Sequence, residues 1–328
     1  MDERTSRPAQ GFASRRPRPT PRRARESCGS SPDPMNARRR PWPLFAFAAV
    51  AALGLWLRDP QPPAANAAER NDAAAMRDIA YGPHPSQRYD VYAPAKTAGA
   101  PTIFFVHGGG WRRGDKASAG TIDAKQRRWT AMGAFVVSTN YRMLPDADPL
   151  EQARDVARAI ASAQQRVAAA GGDPNAFVLM GHSAGAHLVA LVATTPEIAR
   201  AAGVAPWRGN VLLDSGAIDT VKTMETARKP ALFAEAFGDD PAYWRSASPM
   251  HRLSGRLAPT LAVCASERVD SCPNNTAFLR KAREYGTRTQ LLAKPLSHSD
   301  INRDLGEDNA YTLEVEAFLR EIGLRLGD

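Results

Sequence analysis

The sequence predicts an α/β protein built on a mostly parallel sheet with helices on its faces. Two observations carry that prediction. From about residue 76 onward, short apolar runs alternate with helical stretches, an order that packs as one layered α/β domain. Most of the runs are apolar throughout and stop at Gly or Pro, as strands covered on both faces do. The composition agrees. With 328 residues, 43% hydrophobic and 23% charged, the chain is ordinary globular material with enough length for a large core.

The elements follow in order. Arg88–Tyr92 alternates and ends near Pro94, so it reads as an early strand. The runs 102–106, 134–139, 177–180, 211–213 and 260–264 read as buried strands, and 289–292 as a weaker last one. Between them, 149–170 places Leu150, Ala153, Val156, Ala157 and Ile160 on one helical stripe and stops at Gly171-Gly172. Residues 184–193 are apolar nearly all round, which predicts a buried helix. Further helices are expected over 275–285 and 311–326. Residues 217–250 break the alternation. They hold Phe233, Phe237, Tyr243, Trp244 and Met250 without a strand pattern, and read as a small helical insertion near the active site.

The N-terminal part is different in kind. The net charge of +9 invites a nucleic-acid reading, but residues 1–40 contain 11 Arg against 4 acidic residues. The other 288 residues carry 32 basic and 30 acidic side chains, so the body is close to neutral and shows no basic stripe for tracking phosphates. No nucleic-acid partner is expected. Residues 1–34 are an Arg/Pro-rich extension too poor in apolar side chains to order itself. From Met35, a basic stretch precedes 14 apolar residues, Leu44 to Leu57, and then Ala65-Asn66-Ala67. Fourteen is short for a membrane span, which needs about 20 residues, and suits a signal peptide cleaved at the A-x-A-like site. The expectation is a leader over 35–67, a linker over 68–75 and a catalytic domain over 76–328, secreted or periplasmic. The alternative is an uncleaved membrane anchor at 44–57, through which alone membrane contact would occur. Cys264 and Cys272, eight apart, either pair after export or stand as separate thiols. No C-x-x-C spacing exists and no metal site is expected.

Two motifs carry chemistry. Gly181-His182-Ser183-Ala184-Gly185 fits G-x-S-x-G, a sharp strand-to-helix turn that exposes a serine, with an apolar strand before it and a buried helix after it. Serine is hardly ionised at neutral pH, so it needs a base within hydrogen-bond reach and donors for the oxyanion formed on attack. His107-Gly108-Gly109-Gly110-Trp111 ends an earlier strand, and its bare amides can turn toward an anion. The amides of Gly108, Gly109 and Ala184 are the candidate oxyanion donors. His107 is expected to hold the loop, not to act as the base. His182 is adjacent to the serine, but its ring is expected to point away. Of the six histidines only His298 follows the last strand candidate, so it is the candidate base.

Together H-G-G-G-W, Asn140-Tyr141-Arg142, G-H-S-A-G and the late histidine resemble the α/β-hydrolase superfamily, in particular its carboxylesterase and arylformamidase-like branch. Arg112-Arg113-Gly114-Asp115-Lys116, Tyr81-Gly82-Pro83 and Tyr89-Asp90-Val91-Tyr92 add to the likeness, which covers roughly residues 76–326. The resemblance implies a Ser-His-acid hydrolase of small esters or amides, with no metal or organic cofactor. It also implies the chain order serine, acid, histidine. The acid is then sought in Ser266-Glu267-Arg268-Val269-Asp270, which departs from the branch's usual Gly-Asp-x-Asp wording. Asp270 is the first candidate and Glu267 the second. Asp214, ending an earlier strand, is the third, since some members of this fold carry the acid there. Trp111 and the 217–250 insertion, Trp244 included, are expected to wall the substrate pocket. The expected reaction is ester cleavage through an acyl-enzyme, with amide or formamide hydrolysis as the alternative. A non-catalytic binding protein on the same fold is the rival of another class.

Overall fold

A computed structural model describes residues 75–227 and 229–327. The extension 1–34, the leader or anchor 35–67 and the linker up to residue 74 lie outside the described residues. The strands are β1 (Ala75–Ala80), β2 (Arg88–Tyr92), β3 (Thr102–Val106), β4 (Phe135–Thr139), β5 (Phe177–His182), β6 (Gly209–Leu213), β7 (Thr260–Ala265) and β8 (Thr289–Lys294). They form one sheet in the order β1-β2-β4-β3-β5-β6-β7-β8. β2 runs antiparallel to both of its neighbours, and β3 to β8 are mutually parallel. β1 escaped the sequence pattern because Arg77 and Asp78 interrupt its apolar residues and most of it is exposed.

Eleven helices occur among the described residues. They are α1 (Ala119–Ala131), α2 (Pro149–Ala169), α3 (Ala184–Thr194), α4 (Pro196–Ala201), α5 (Thr220–Glu225), α6 (Ala231–Phe237), α7 (Pro241–Ser246), α8 (Pro249–Arg252), α9 (Ser271–Glu284), α10 (His298–Arg303) and α11 (Ala310–Glu321). Alternate strand residues face opposite sides of the sheet, and this splits the core in two. Phe104, Val106, Phe135, Val137 and Leu179 pack with α2 and α3 on one face. Ile103, Phe105, Val136, Val178 and Met180 pack with α1 and α11 on the other. Helix α3 is buried at every position but Ala193, as its all-round apolarity predicts. Helix α2 starts where Asp148 accepts hydrogen bonds from the amides of Leu150 and Glu151, each at 2.9 Å, with Pro149 at its first position.

The 217–250 segment is the expected helical insertion, made of α5 to α8. Cys264, at the end of β7, and Cys272, in the first turn of α9, form a disulfide with Cα atoms 5.1 Å apart. Of the two arrangements that their spacing leaves open, this chain adopts the paired one. α9 begins at Ser271, four residues earlier than the sequence pattern marks.

Candidate active site

The chain turns at Ser183 between β5 and α3, with φ 56° and ψ −118°. That left-handed conformation is uncommon for a residue with a side chain. The flanking glycines make it possible by close approach. A Cβ on Gly181 would stand 2.4 Å from the carbonyl oxygen of Gly185, and one on Gly185 would stand 2.2 Å from that of Val106. The turn is pinned to the next strand by the Ser183 amide, which donates to Leu213 O at 2.8 Å.

His298 is the first residue of helix α10. Its Nε2 lies 2.9 Å from Ser183 Oγ, and its Nδ1 lies 2.5 Å from Asp214 Oδ2. A carboxylate only accepts, so Nδ1 carries the hydrogen and Nε2 presents its lone pair to the serine hydroxyl. The carboxylate beside the base is therefore Asp214, and the expectation of Asp270 is corrected. Asp270 is bound instead through its Oδ2 to Arg268 Nη2 at 2.9 Å. Glu267 makes no side-chain hydrogen bond or ion pair among the described residues.

Asp214 directly follows β6 and has φ 51°, a second left-handed position. Its side chain is fully buried. Burial opposes ionisation, but four interactions outweigh it and hold the carboxyl below the usual carboxylate range. These are hydrogen bonds from His298, from the Ala265 amide at 2.8 Å and from the Ser271 hydroxyl, and the charge of Arg268, whose Nη1 lies 2.6 Å away.

The ring of His182, expected to point away, does not. It lies beside that of His298, with centroids 4.6 Å apart, and its Nε2 donates to His298 O at 2.9 Å. Burial pushes its pKa down to about 3. His182 therefore steadies the start of α10, which carries His298, and has little capacity to take a proton itself.

The oxyanion loop is held by residues that the sequence offers only as a likeness. His107 Nδ1 donates to Gly108 O at 2.7 Å, and its ring stacks on Tyr141 at 4.6 Å. Tyr141 in turn donates to His107 O at 3.0 Å. Asn140 accepts from the Lys116 amide at 2.6 Å and donates to Asp115 at 2.8 Å. Arg142 grips the buried Asp155 through Nε at 2.7 Å. The N-Y-R and Gly-Asp stretches thus clamp the loop after β3 to the end of β4.

A cleft of about 780 Å³ opens over Ser183 and His298. Gly109, Gly110 and Ala184 line it. Gly108 lies beneath, so close to the elbow that a Cβ there would be 2.9 Å from Ser183 Cβ. Leu232 and Phe233 of α6 and Ala217 form the apolar side. Trp111 lines the cleft as expected, but from its floor. It is 2% exposed, and its Nε1 donates to His187 Nδ1 at 3.2 Å. Trp244 does not reach the cleft. Its Nε1 donates to the carbonyls of Phe237 and Gly238 at 3.1 and 3.0 Å, which ties α7 to the end of α6. The wall that Trp244 was expected to supply comes from Leu232 and Phe233 instead. Sequence reasoning also passed over Arg268, which lines the cleft and touches Asp214. Its only sequence signal is that a cation stands where the branch has an acidic cluster.

The fold and the elbow-and-late-histidine order define the chain as an α/β-hydrolase. A family match then places it more narrowly. The BD-FAE family profile covers residues 89–267, and the chain belongs to that family. It is 30% identical over 219 residues to esterase LipC of Mycobacterium tuberculosis, covering 62% of this chain and 54% of that protein. It is 26% identical over 237 residues to the kynurenine formamidase of Danio rerio, covering 71% and 75%. The chain spans between about a quarter and a half of the length of the first curated relatives that it matches. Among solved structures, a truncated carbohydrate esterase from gut microbiota superposes with TM-score 0.65 at 18% identity. That match covers 77% of this chain and 98% of the other, and it supports the fold.

Proposed function

We propose that this protein is a serine hydrolase that cleaves small carboxylic esters through an acyl-enzyme. The observation that carries the reading is the unbroken line Ser183 Oγ, His298, Asp214, at 2.9 and 2.5 Å, on the wall of an apolar-sided cleft. Ser183 attacks the ester carbonyl as its proton passes to His298 Nε2. Asp214 keeps the imidazole in the right tautomer and stabilises the imidazolium. Negative charge on the carbonyl oxygen falls on the amides of Gly108, Gly109 and Ala184, the last at the N-terminus of the eleven-residue α3. His298 returns the proton to the leaving alcohol. Water then repeats the sequence against the acyl-enzyme. Leu232 and Phe233 close over the site from a short insertion, which favours short acyl or aryl esters over long lipids.

Turnover of p-nitrophenyl esters from C2 to C12 tests the reading. Rates are expected to peak at the short end, and a maximum at C12 overturns the chain-length preference. A fluorophosphonate probe is expected to label wild type and not Ser183→Ala. Equal labelling of the two would return the chain to the non-catalytic rival. The likeness to the Danio rerio kynurenine formamidase favours a second reading, formamide cleavage by the same residues. Comparing kcat/KM on phenyl acetate and on an N-formylated arylamine separates the two.

We also propose export to an oxidising compartment. The basic and apolar stretch from Met35 and the A-x-A-like site support it, and the Cys264–Cys272 disulfide fits it. Among the described residues no helix is long and apolar enough to cross a membrane. N-terminal sequencing of protein from the native host should find a start near residue 68. A start upstream of residue 60 would favour the anchor.

A further inference from the structure

Asp214 has its acceptor capacity filled. Oδ1 takes the Ala265 amide at 2.8 Å and the Ser271 hydroxyl. Oδ2 takes Arg268 Nη1 at 2.6 Å and His298 Nδ1 at 2.5 Å. A carboxylate offers about four lone-pair sites, so each donor has one. Three of the four donors come from residues 265–271, the stretch closed by the Cys264–Cys272 disulfide. That stretch is where the sequence puts the acid. Here it supplies the donors that hold an acid from the neighbouring strand.

Arg268 stands apart among those donors. Its Nη1 lies 2.9 Å from His298 Nδ1. In the tautomer that serves Ser183 both nitrogens are donors, so they do not bond to each other and converge on the same oxygen. Asp270 holds the other arm of the guanidinium at 2.9 Å. Gly216 leaves room for that pair, since a Cβ there would be 2.7 Å from Asp270 Oδ2 and 3.1 Å from Arg268 Nη2. The guanidinium lines the cleft with its side chain 29% exposed.

We propose that Arg268 is a positioning residue of the hydrolase: its guanidinium, held on the other arm by Asp270, fixes Asp214 Oδ2 in line with His298 Nδ1. The other groups around His298 do not replace it. From β6 comes the carboxylate of Asp214, and from the elbow the neutral ring of His182. Lys125 of α1 reaches the far end of α10, on Asn302 O. Asp300, Arg303 and Asp304 pair among themselves on the outside of α10 and just after it. Among the described cations, only Arg268 touches the ring.

The proposal rests on the hydrolase reading, and the test separates the two. The full chain is compared as wild type, Arg268→Met and Arg268→Lys. One readout is the downfield proton NMR signal of His298 Nδ1–H, assigned with His298→Gln. The other is kcat and KM for p-nitrophenyl acetate. Arg268→Met should move or abolish the signal and lower kcat by about tenfold or more, with KM within about twofold. Arg268→Lys should bring the signal back toward wild type while kcat stays several-fold down, because an ammonium lacks the fork that spans Asp214 and Asp270. A signal that stays at the wild-type position in Arg268→Met overturns the proposal, whatever happens to kcat. If Arg268→Met does not fold, a wild-type kcat in Arg268→Lys overturns it instead. A wild type that turns over no ester, with a His298 signal that still responds to Arg268, removes the hydrolase reading and leaves the positioning role standing.

Discussion

The two ends of the Ser183–His298–Asp214 line are built in different ways. The serine end is local. Residues 181–185 carry the whole turn, and although neighbouring strands press on it, the two glycines and the left-handed serine belong to one stretch of chain. The acid end is assembled from distant parts. Asp214 comes from just after β6, Ala265 from the end of β7, Arg268 from the loop that follows, Ser271 from α9, and His298 from α10. A local site leaves a readable motif, because the backbone path itself demands particular residues. An assembled site leaves none, because any strand end that reaches the same point serves equally well.

Mutagenesis can break that comparison at either end. The largest effect is expected at the serine. Ser183→Ala should lower kcat on p-nitrophenyl acetate by about five to six orders of magnitude, with the fold intact by circular dichroism. Asp214→Asn comes next. It should lower kcat by about three to four orders, because the amide no longer enforces the tautomer that serves the serine. Near-normal kcat in Asp214→Asn would show that the acid end lies elsewhere. Gly108→Ala probes the local end without removing a reacting group. Its Cβ meets His182 O and Ser183 Cβ, both at 2.9 Å, so the elbow must shift and kcat should fall about ten- to a hundredfold.

A stability measurement sharpens the comparison further. His187 and His182 sit on the serine side, and burial pushes their pKa values down to about 4 and about 3. In the unfolded chain both titrate near 6.5. Above that pH neither state binds a proton at these sites. Below it the unfolded chain does and the folded one does not, so stability is lost as pH falls from about 6.5 toward 4. The loss should reach at most about 1.4 kcal/mol per pH unit for each ring. Asp214, whose carboxyl is depressed, adds to stability above about pH 4 and loses that contribution only at lower pH. Denaturant melts from pH 7 to 4.5 should therefore show a decline that His187→Gln makes shallower. The smallest effect is expected at Asp270→Ala. It should lower kcat by only about threefold, because Asp270 reaches the site through Arg268 alone.

Most of the frame was legible in advance. The buried strands β3 to β7 announced themselves as unbroken apolar runs, and α3 did so by being apolar all round. β1 did not, because an exposed edge strand has no core pattern to display. α10 did not, because six residues beginning at His298 carry too few periods to register. Trp244 was misplaced because aromatic content shows that a side chain will be covered without showing what covers it. Here its indole closes a turn of the insertion, and the cleft wall falls to Leu232 and Phe233.

By itself the sequence determined what backbone geometry and burial demand: the layered α/β order, the serine on its elbow, the glycine loop after β3, and His298 as the one histidine late enough in the chain. The identity of the carboxylate was left to tertiary structure. Asp214, Glu267 and Asp270 are equivalent as residues, and three candidates in chain order do not say which one faces the imidazole. Pairing β6 beside β7 brings Asp214 under His298 and turns the loop that looked like the acid's home into its set of donors. Hydrogen bonds between residues 51 to 84 positions apart made that choice. Their partners are set by how strands stack, which no short stretch of sequence encodes.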